Sequence, residues 1–235
     1  MNKRLFGTSG IRGLVNEKLI PPTVAKIALA FAMFLGNKGE VGIGMDARVG
    51  SFMIKNAFTA GLLAGGLNVI DYGLTSTPAL LHAVKREELS GGVAVTGSHT
   101  PPQIHGVLLF KKTTAELFRE DEELIEEIFF KESFKTVEWI QIGKAREGNA
   151  EKHYIKNIVE NFGEGVFKSR RVVLDAGHSP AVYALTDILE KLGCQVTVIN
   201  GDVNGFFPKR PPNPLPEYLD ELRRTVVDVK ADFGV

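Results

Sequence analysis

Apolar residues at Val24, Ile27, Ala28, Phe31, Phe34 and Leu35 return every three to four positions, the period of one buried helix face. Pro21 and Pro22 open that helix, where a missing N–H is tolerated, and Gly36-Asn37 closes it. The run 41–44 reads as a buried strand. A helix over 51–63 follows, with Ser51 as its expected cap, and then a strand over 67–71. Thr77-Pro78 starts a further helix that runs to about Glu88. Strands are expected over 93–96 and 107–110, and an acidic helix over 119–130 with an inner stripe of Leu124, Ile125, Ile128 and Phe129. Beyond it come a helix at 150–162, a strand at 171–175, a helix at 180–192 and a strand at 194–199. A helix at 216–228 then leads into an apolar strand at 231–235.

This order contains a repeat. Residues 41–71 and 171–199 each read strand, helix, strand, and the first strand of each ends in an aspartate, Asp46 and Asp175. The pattern predicts an α/β fold of two related three-layer α/β domains with mixed sheets. The division is expected within 143–149, giving domains at 1–148 and 149–235, with 150–162 as a connecting helix. The second domain is expected to be incomplete, because 231–235 begins a buried strand as the chain stops.

Composition narrows the function classes. With 44% hydrophobic residues among 235, the chain can bury a substantial core. The 28 basic and 28 acidic residues balance, which argues against a nucleic-acid-binding face but leaves room for a small anionic substrate. Cys194 stands alone, excluding an intramolecular disulfide and suiting a reducing compartment as a buried thiol. The apolar stretch 24–35 is too short to span a bilayer and carries Lys26. With no signal peptide in view, a cytoplasmic protein without a membrane partner is expected.

Candidate chemistry concentrates at Val93-Ala94-Val95-Thr96-Gly97-Ser98-His99-Thr100-Pro101-Pro102, where a buried-strand pattern breaks into a loop. Gly97 is expected to give the turn its backbone freedom, and the two prolines stiffen its far side. Ser98 is thereby presented at the carboxyl end of a strand, where open α/β sheets place their ligands. Taken alone, the loop reads more readily as a plain strand-to-turn junction.

Phe6-Gly7-Thr8-Ser9-Gly10-Ile11-Arg12-Gly13 changes that balance. With Thr96-Gly97-Ser98-His99-Thr100-Pro101, the turn Gly42-Ile43-Gly44-Met45-Asp46-Ala47-Arg48 and the segment Phe207-Pro208-Lys209-Arg210-Pro211-Pro212-Asn213-Pro214-Leu215-Pro216-Glu217, it resembles the α-D-phosphohexomutase family. That family includes phosphomannomutase, phosphoglucomutase and phosphoglucosamine mutase. The resemblance implies phosphoryl transfer on a hexose phosphate through a phosphoserine at Ser98, with Mg²⁺ on that phosphoserine and a hexose 1,6-bisphosphate as activator. It covers the family's first domain and most of the second; the family's D-x-D-x-D-R metal loop would follow residue 235.

A phosphoserine carries roughly −1.5 to −2 charge and needs cations before a second anion can approach. Arg12, flanked by glycines, is the cation expected beside Ser98, with a surface ion pair as its alternative role. His99 is either a phosphate ligand and proton relay or a structural histidine. Asp46 and Arg48 read as a structural pair. His105, His178 and Asp175 show no metal-ligand spacing.

Two positions depart from the family pattern. Thr100 stands where the phosphoserine loop has asparagine, and His105-Gly106-Val107-Leu108 places Leu108 where N-G-[IF]-K has a lysine. Leucine neither moves a proton nor offsets phosphate charge. Strand alternation puts Lys111 and His105 on the face opposite Leu108, and Lys112 lies roughly 13 Å along the strand. A non-catalytic module that binds sugar phosphates or a partner protein is therefore the alternative reading, with an inactive remnant as the third. The chain alone is expected to lack mutase turnover, and to self-associate or bind a complementary C-terminal half through its uncovered last strand.

Overall fold

The computed structural model describes residues 4–235. Six strands form the first sheet: β1 (Ile11–Leu14), β2 (Glu40–Met45), β3 (Asn68–Leu74), β4 (Gly91–Val95), β5 (Ile104–Lys111) and β6 (Ala145–Glu147). Their order across the sheet is β1-β5-β4-β2-β3-β6. β2 pairs in parallel with β3 and β4, and β6 joins β3 in parallel, while β5 runs antiparallel to both β4 and β1. The sheet is thus mixed, with the Ser98 loop as its β4–β5 turn.

Alternation along the central strands builds two cores. Val93, Val95, Val107 and Leu109 point toward α1 (Pro21–Phe34), α2 (Ser51–Ala64) and α4 (Arg119–Lys131), packing with Phe31, Phe58 and Ile125. Ala94, Leu108 and Phe110 point the other way, onto Leu80 and Val84 of α3 (Thr77–Arg86) and Ala150 of α5 (Ala150–Phe162). Helices on both faces make three layers.

The second sheet is smaller, with order β8-β7-β9, comprising β7 (Arg171–Asp175), β8 (Gln195–Ile199) and β9 (Phe233–Gly234). Its described strands all pair in parallel, so the mixture expected in both sheets is found in the first alone. Helix α6 (Ala181–Lys191) packs on α5, where Ile155 meets Ala184 and Ile188, and α7 (Asp220–Asp228) lies against β7 and β9. Because α5 also packs on α3, it joins the two sheets into one body. Among the described residues no helix is long and apolar enough to cross a membrane.

Several local expectations are corrected. Ser51 lies inside α2 rather than capping it; Gly50 precedes it, and the Ser51 hydroxyl donates to Asp46 Oδ1 at 2.6 Å. The inner stripe of α4 excludes Leu124, which is 47% exposed. Glu126 is buried instead, and its Oε1 accepts the amides of Leu5 and Phe6 at 2.8 and 3.0 Å. The helix expected over 216–228 is divided into a 3₁₀ turn at Pro216–Tyr218 and α7. Gly97 does not supply the unusual backbone of the serine loop. Ser98 itself adopts the left-handed conformation, with φ of 56°.

Candidate functional site at the carboxyl ends of β2 and β4

Parallel pairing sets Met45 beside Val95, so Asp46 and Thr96 leave the sheet side by side. Asp46 organises this end. Its Oδ2 accepts from Thr96 Oγ1 at 2.8 Å, the Gly97 amide at 3.1 Å and Arg48 Nε at 3.0 Å, while Oδ1 accepts the Arg48 amide at 3.0 Å. Arg48, only 2% exposed, spends the rest of its guanidinium on the loop. Nη2 donates to the carbonyls of Ser98 and Thr100, both at 2.7 Å, and Nη1 to that of Pro101 at 2.6 Å. Burial lowers the Arg48 pKa from its ordinary value, against the opposing pull of Asp46.

This clamp explains how a serine is held in left-handed backbone, a conformation disfavoured by roughly 1–3 kcal/mol when not over-determined. The Ser98 amide donates to Thr96 Oγ1 at 2.8 Å, and Thr100 Oγ1 donates to the Gly97 carbonyl at 2.7 Å, so Thr100 closes the loop from within. Gly97 is required by space. A Cβ there would lie 2.3 Å from the Ile104 carbonyl oxygen and 2.6 Å from Arg48 Cζ.

Ser98, Arg12 and His99 all line one cleft of 810 Å³, with Thr8, Ser9 and Glu116. Arg12 pairs across the ladder with Gly106, which has no side chain to compete with it, and Arg12 Nε is buried without a partner among the described residues. The contact between Ser98 Oγ and His99 Nδ1 is long, at 3.4 Å. Leu108 also lines the cleft, and among the described residues no lysine does. Lys111 is held away, ion-paired to Asp121 at 2.6 Å. His105 is 2% exposed on the opposite face, where Nε2 accepts the Gly50 amide at 2.9 Å. An Nε2 that accepts an amide carries no proton, as in a neutral structural histidine, and burial pushes the pKa down in the same sense.

Two features of the site escaped sequence reasoning. Glu116 reaches the cleft because the chain turns back after β5, with Lys111 N bonded to the Ala115 carbonyl at 3.1 Å, and its Oε2 accepts Ser9 Oγ at 3.1 Å. Nothing in the local pattern signals that return. The second is a strap from the smaller unit. The Phe207 ring lies 5.1 Å from Arg48 Cζ, and Gly205 packs so close to the Ala47–Arg48 turn that a Cβ would stand 2.2 Å from the Ala47 carbonyl oxygen. The Phe207–Glu217 motif was the available signal, but its partner was not. A 350 Å³ cavity between the units is lined by Ser98, Asp46, Asp175, His178, Phe207 and Arg210 among others.

Among the described residues no group of three or more His, Cys, Asp or Glu gathers to hold a metal. Magnesium prefers octahedral oxygen coordination. This chain offers the expected ion a single assigned oxygen, at Ser98, so the described residues do not by themselves fit it.

Comparisons with known proteins agree with this architecture. Residues 3–136 match the family model for phosphoglucomutase/phosphomannomutase, alpha/beta/alpha domain I, and residues 152–235 match domain II. The chain is 37% identical to a phosphoglucomutase/phosphomannomutase of Thermococcus kodakarensis, covering 99% of this chain and 52% of that one. It is 38% identical to a probable phosphoglucosamine mutase of Pyrococcus furiosus, with 99% and 50% covered. A crystal structure of a phosphoglucomutase/phosphomannomutase family protein from Burkholderia thailandensis superposes with a TM-score of 0.88 at 24% identity, over 98% of this chain and 51% of that one. The chain thus spans about half the length of the curated relatives it matches.

Proposed function

The chain belongs to the phosphoglucomutase/phosphomannomutase family, and we propose that it supplies the phosphoserine half of a hexose-phosphate mutase. In this reading residues 1–148 carry the phosphoryl donor and residues 149–235 brace it. The phosphate on Ser98 passes to a hydroxyl of a hexose phosphate: the bond from phosphorus to Ser98 Oγ breaks and a bond to the sugar oxygen forms. The hydroxyl proton passes by way of His99 to the departing Ser98 Oγ, which ends as a free hydroxyl, and Ser98 is rephosphorylated from the hexose bisphosphate so produced as the proton returns by the same route. Phosphoryl transfer asks a protein mainly for position and charge neutralisation. Arg12 supplies the charge and the Arg48 clamp the position. The sole cysteine, buried and free, suits a reducing compartment, and we place the activity in the cytoplasm.

One observation carries the proposal: a serine locked in left-handed backbone lines the same cleft as an arginine whose Nε is buried and unpartnered. Incubation with glucose 1,6-bisphosphate, followed by intact-mass analysis and peptide mapping, tests it. A single phosphate on Ser98, absent from Ser98→Ala, is expected. Phosphate elsewhere, or none, would overturn it.

Leu108 favours the second reading, a module that binds sugar phosphates without turning them over. Among the described residues an apolar side chain holds the β5 position that lines the cleft and could have carried a lysine. Binding of hexose phosphate with no transfer to or from Ser98 would select that reading. Association with a separately expressed C-terminal half of a relative belongs to the same proposal, and light scattering reads it directly.

A further inference from the structure

Helix α3 carries groups at both of its ends. Thr77, at its start, lines the serine cleft, whereas His82 and Arg86 lie toward the far end, beside α5. There a cavity of 620 Å³ is lined by His82, Arg86, Lys152, His153 and Lys156 together with Asn157 and Glu160. His82 and Arg86 are four residues apart on α3, and Lys152 and Lys156 are four apart on α5, so each pair shares a helix face.

These cations are poorly neutralised. Among the described residues Glu160 is the one carboxylate lining the cavity, 3.6 Å from Lys156. Arg86 reaches only Glu87 among the described residues, at 3.9 Å. Lys152 and His153 make no ion pair among the described residues. His82 packs edge-on against Tyr154 at 5.9 Å, and its Nδ1 is buried without a hydrogen-bond partner. Burial pushes the His82 pKa down, and the neighbouring Arg86, His153 and Lys85 add repulsion. A groove edged by Arg86, Lys152 and Lys156 with a single carboxylate among its described lining is the arrangement an anion would relieve.

We infer that the groove between α3 and α5 binds a small multivalent oxyanion bearing phosphoryl groups, at a site separate from the Ser98 cleft. The volume suits a small ligand rather than a polymer, within the roughly 300–1,000 Å³ typical of such pockets. Overall charge balance argues the same way, since 28 basic and 28 acidic residues leave no extended basic track for a nucleic acid. The cluster is a local one. Its position gives the ligand a structural consequence. α5 joins the two sheets, so an anion bridging α3 and α5 fastens the smaller unit to the larger one at the back of their seam.

Inorganic pyrophosphate titrated into the ¹⁵N-labelled full chain tests this, with sodium chloride at matched ionic strength as reference. Saturable amide shifts clustered at 82–86 and 152–157 are expected. Arg86→Gln/Lys152→Gln/Lys156→Gln alters exposed side chains, should fold normally, and should weaken binding at those amides at least about tenfold. Arg12→Gln should leave that affinity unchanged while removing any shifts at the Ser98 loop. Shifts confined to the Ser98 loop, unsaturable shifts matching those in sodium chloride, or a triple variant that binds as tightly as the parent would each overturn the inference. Because the readout is binding at α3 and α5, failure of phosphoserine formation would not touch it.

Discussion

Arg48→Met separates the clamp from its packing, because methionine preserves much of the aliphatic stem but none of the donors. The change removes the Asp46 pair and three bonds to the carbonyls of Ser98, Thr100 and Pro101. Breaking a buried ion pair on one side destabilises by about 3–5 kcal/mol, because a buried charge is left uncompensated. Asp46 is better placed than that bare case. It keeps the Arg48 amide, Ser51 Oγ, Thr96 Oγ1 and the Gly97 amide as donors. The loop carbonyls lie near the surface and can take water. The loss should therefore fall at the low end, about 3 kcal/mol. With a denaturant slope of roughly 1–3 kcal/mol/M, the urea midpoint of the larger unit should drop by about 1–3 M. Hydrogen exchange should show the amides of 96–104 losing protection well before the amides of β4. Arg48→Lys should rescue less than half of the loss, since an ammonium cannot meet three carbonyls and a carboxylate from one planar fork. A loss under about 1 kcal/mol, with the 96–104 amides still protected, would refute the claim that Arg48 holds Ser98 in place.

Gly97→Ala should destabilise by about 1–3 kcal/mol, because its Cβ would meet the Ile104 carbonyl oxygen and Arg48 Cζ; thermal denaturation that leaves Tm unchanged would contradict this. His105 has a folded pKa held below its unfolded value of roughly 6.5, chiefly by burial and in lesser part by Arg48, against the Gln103 bond and Asp46. Its contribution is therefore fully present above the unfolded pKa and is lost as pH falls through the folded one. Urea unfolding across this range should show a shallower acid-side slope in His105→Gln, and an unchanged slope would remove the neutral-histidine assignment. Leu108→Lys restores a cation to the cleft floor at a stability loss of about 2–4 kcal/mol, since Leu108 is 7% exposed. If the mutase reading holds, bisphosphate-dependent phosphorylation of Ser98 should quicken; no gain in a folded variant would favour the binding-module reading.

The sheet and its serine loop were legible because their causes are local. The alternation of Val93, Ala94 and Val95 states which face each side chain takes, and the break at Gly97 states where the strand ends. The candidate site residues Ser98, Arg12 and His99 came from motif resemblance, and the fold brings all three to one cleft. What stayed illegible depends on contacts far apart in sequence. Asp46 and Arg48 read as a pair, yet the three carbonyls that give Arg48 its role lie 50 to 53 residues away. Leu124 and Glu126 mislead for a similar reason: helical periodicity ranks Leu124 as core, but the amides of Leu5 and Phe6 need an acceptor and Glu126 supplies it. Glu116 enters the cleft through a chain reversal that periodicity does not encode.

The internal repeat has a physical meaning that its sequence form only hints at. Asp46 and Asp175 each end a parallel strand and each accept the amide two residues on, at 3.0 Å in both cases. Each also binds an arginine, but the arginines come from different places. Arg48 is two residues away and turns toward the serine loop, while Arg210 is 35 residues away, with its Nε 2.7 Å from Asp175 Oδ2. One backbone device therefore serves two ends. In the larger unit the aspartate fixes the loop that presents Ser98. In the smaller unit it anchors the strap that carries Phe207 onto the Arg48 guanidinium. Asp175 holds Arg210, the strap backbone leads from Arg210 to Phe207, and the Phe207 ring meets Arg48, which donates to the Ser98 carbonyl, so the serine loop is braced from both sheets. The strap thereby gives the second unit a direct hold on the arginine that fixes the Ser98 loop of the first.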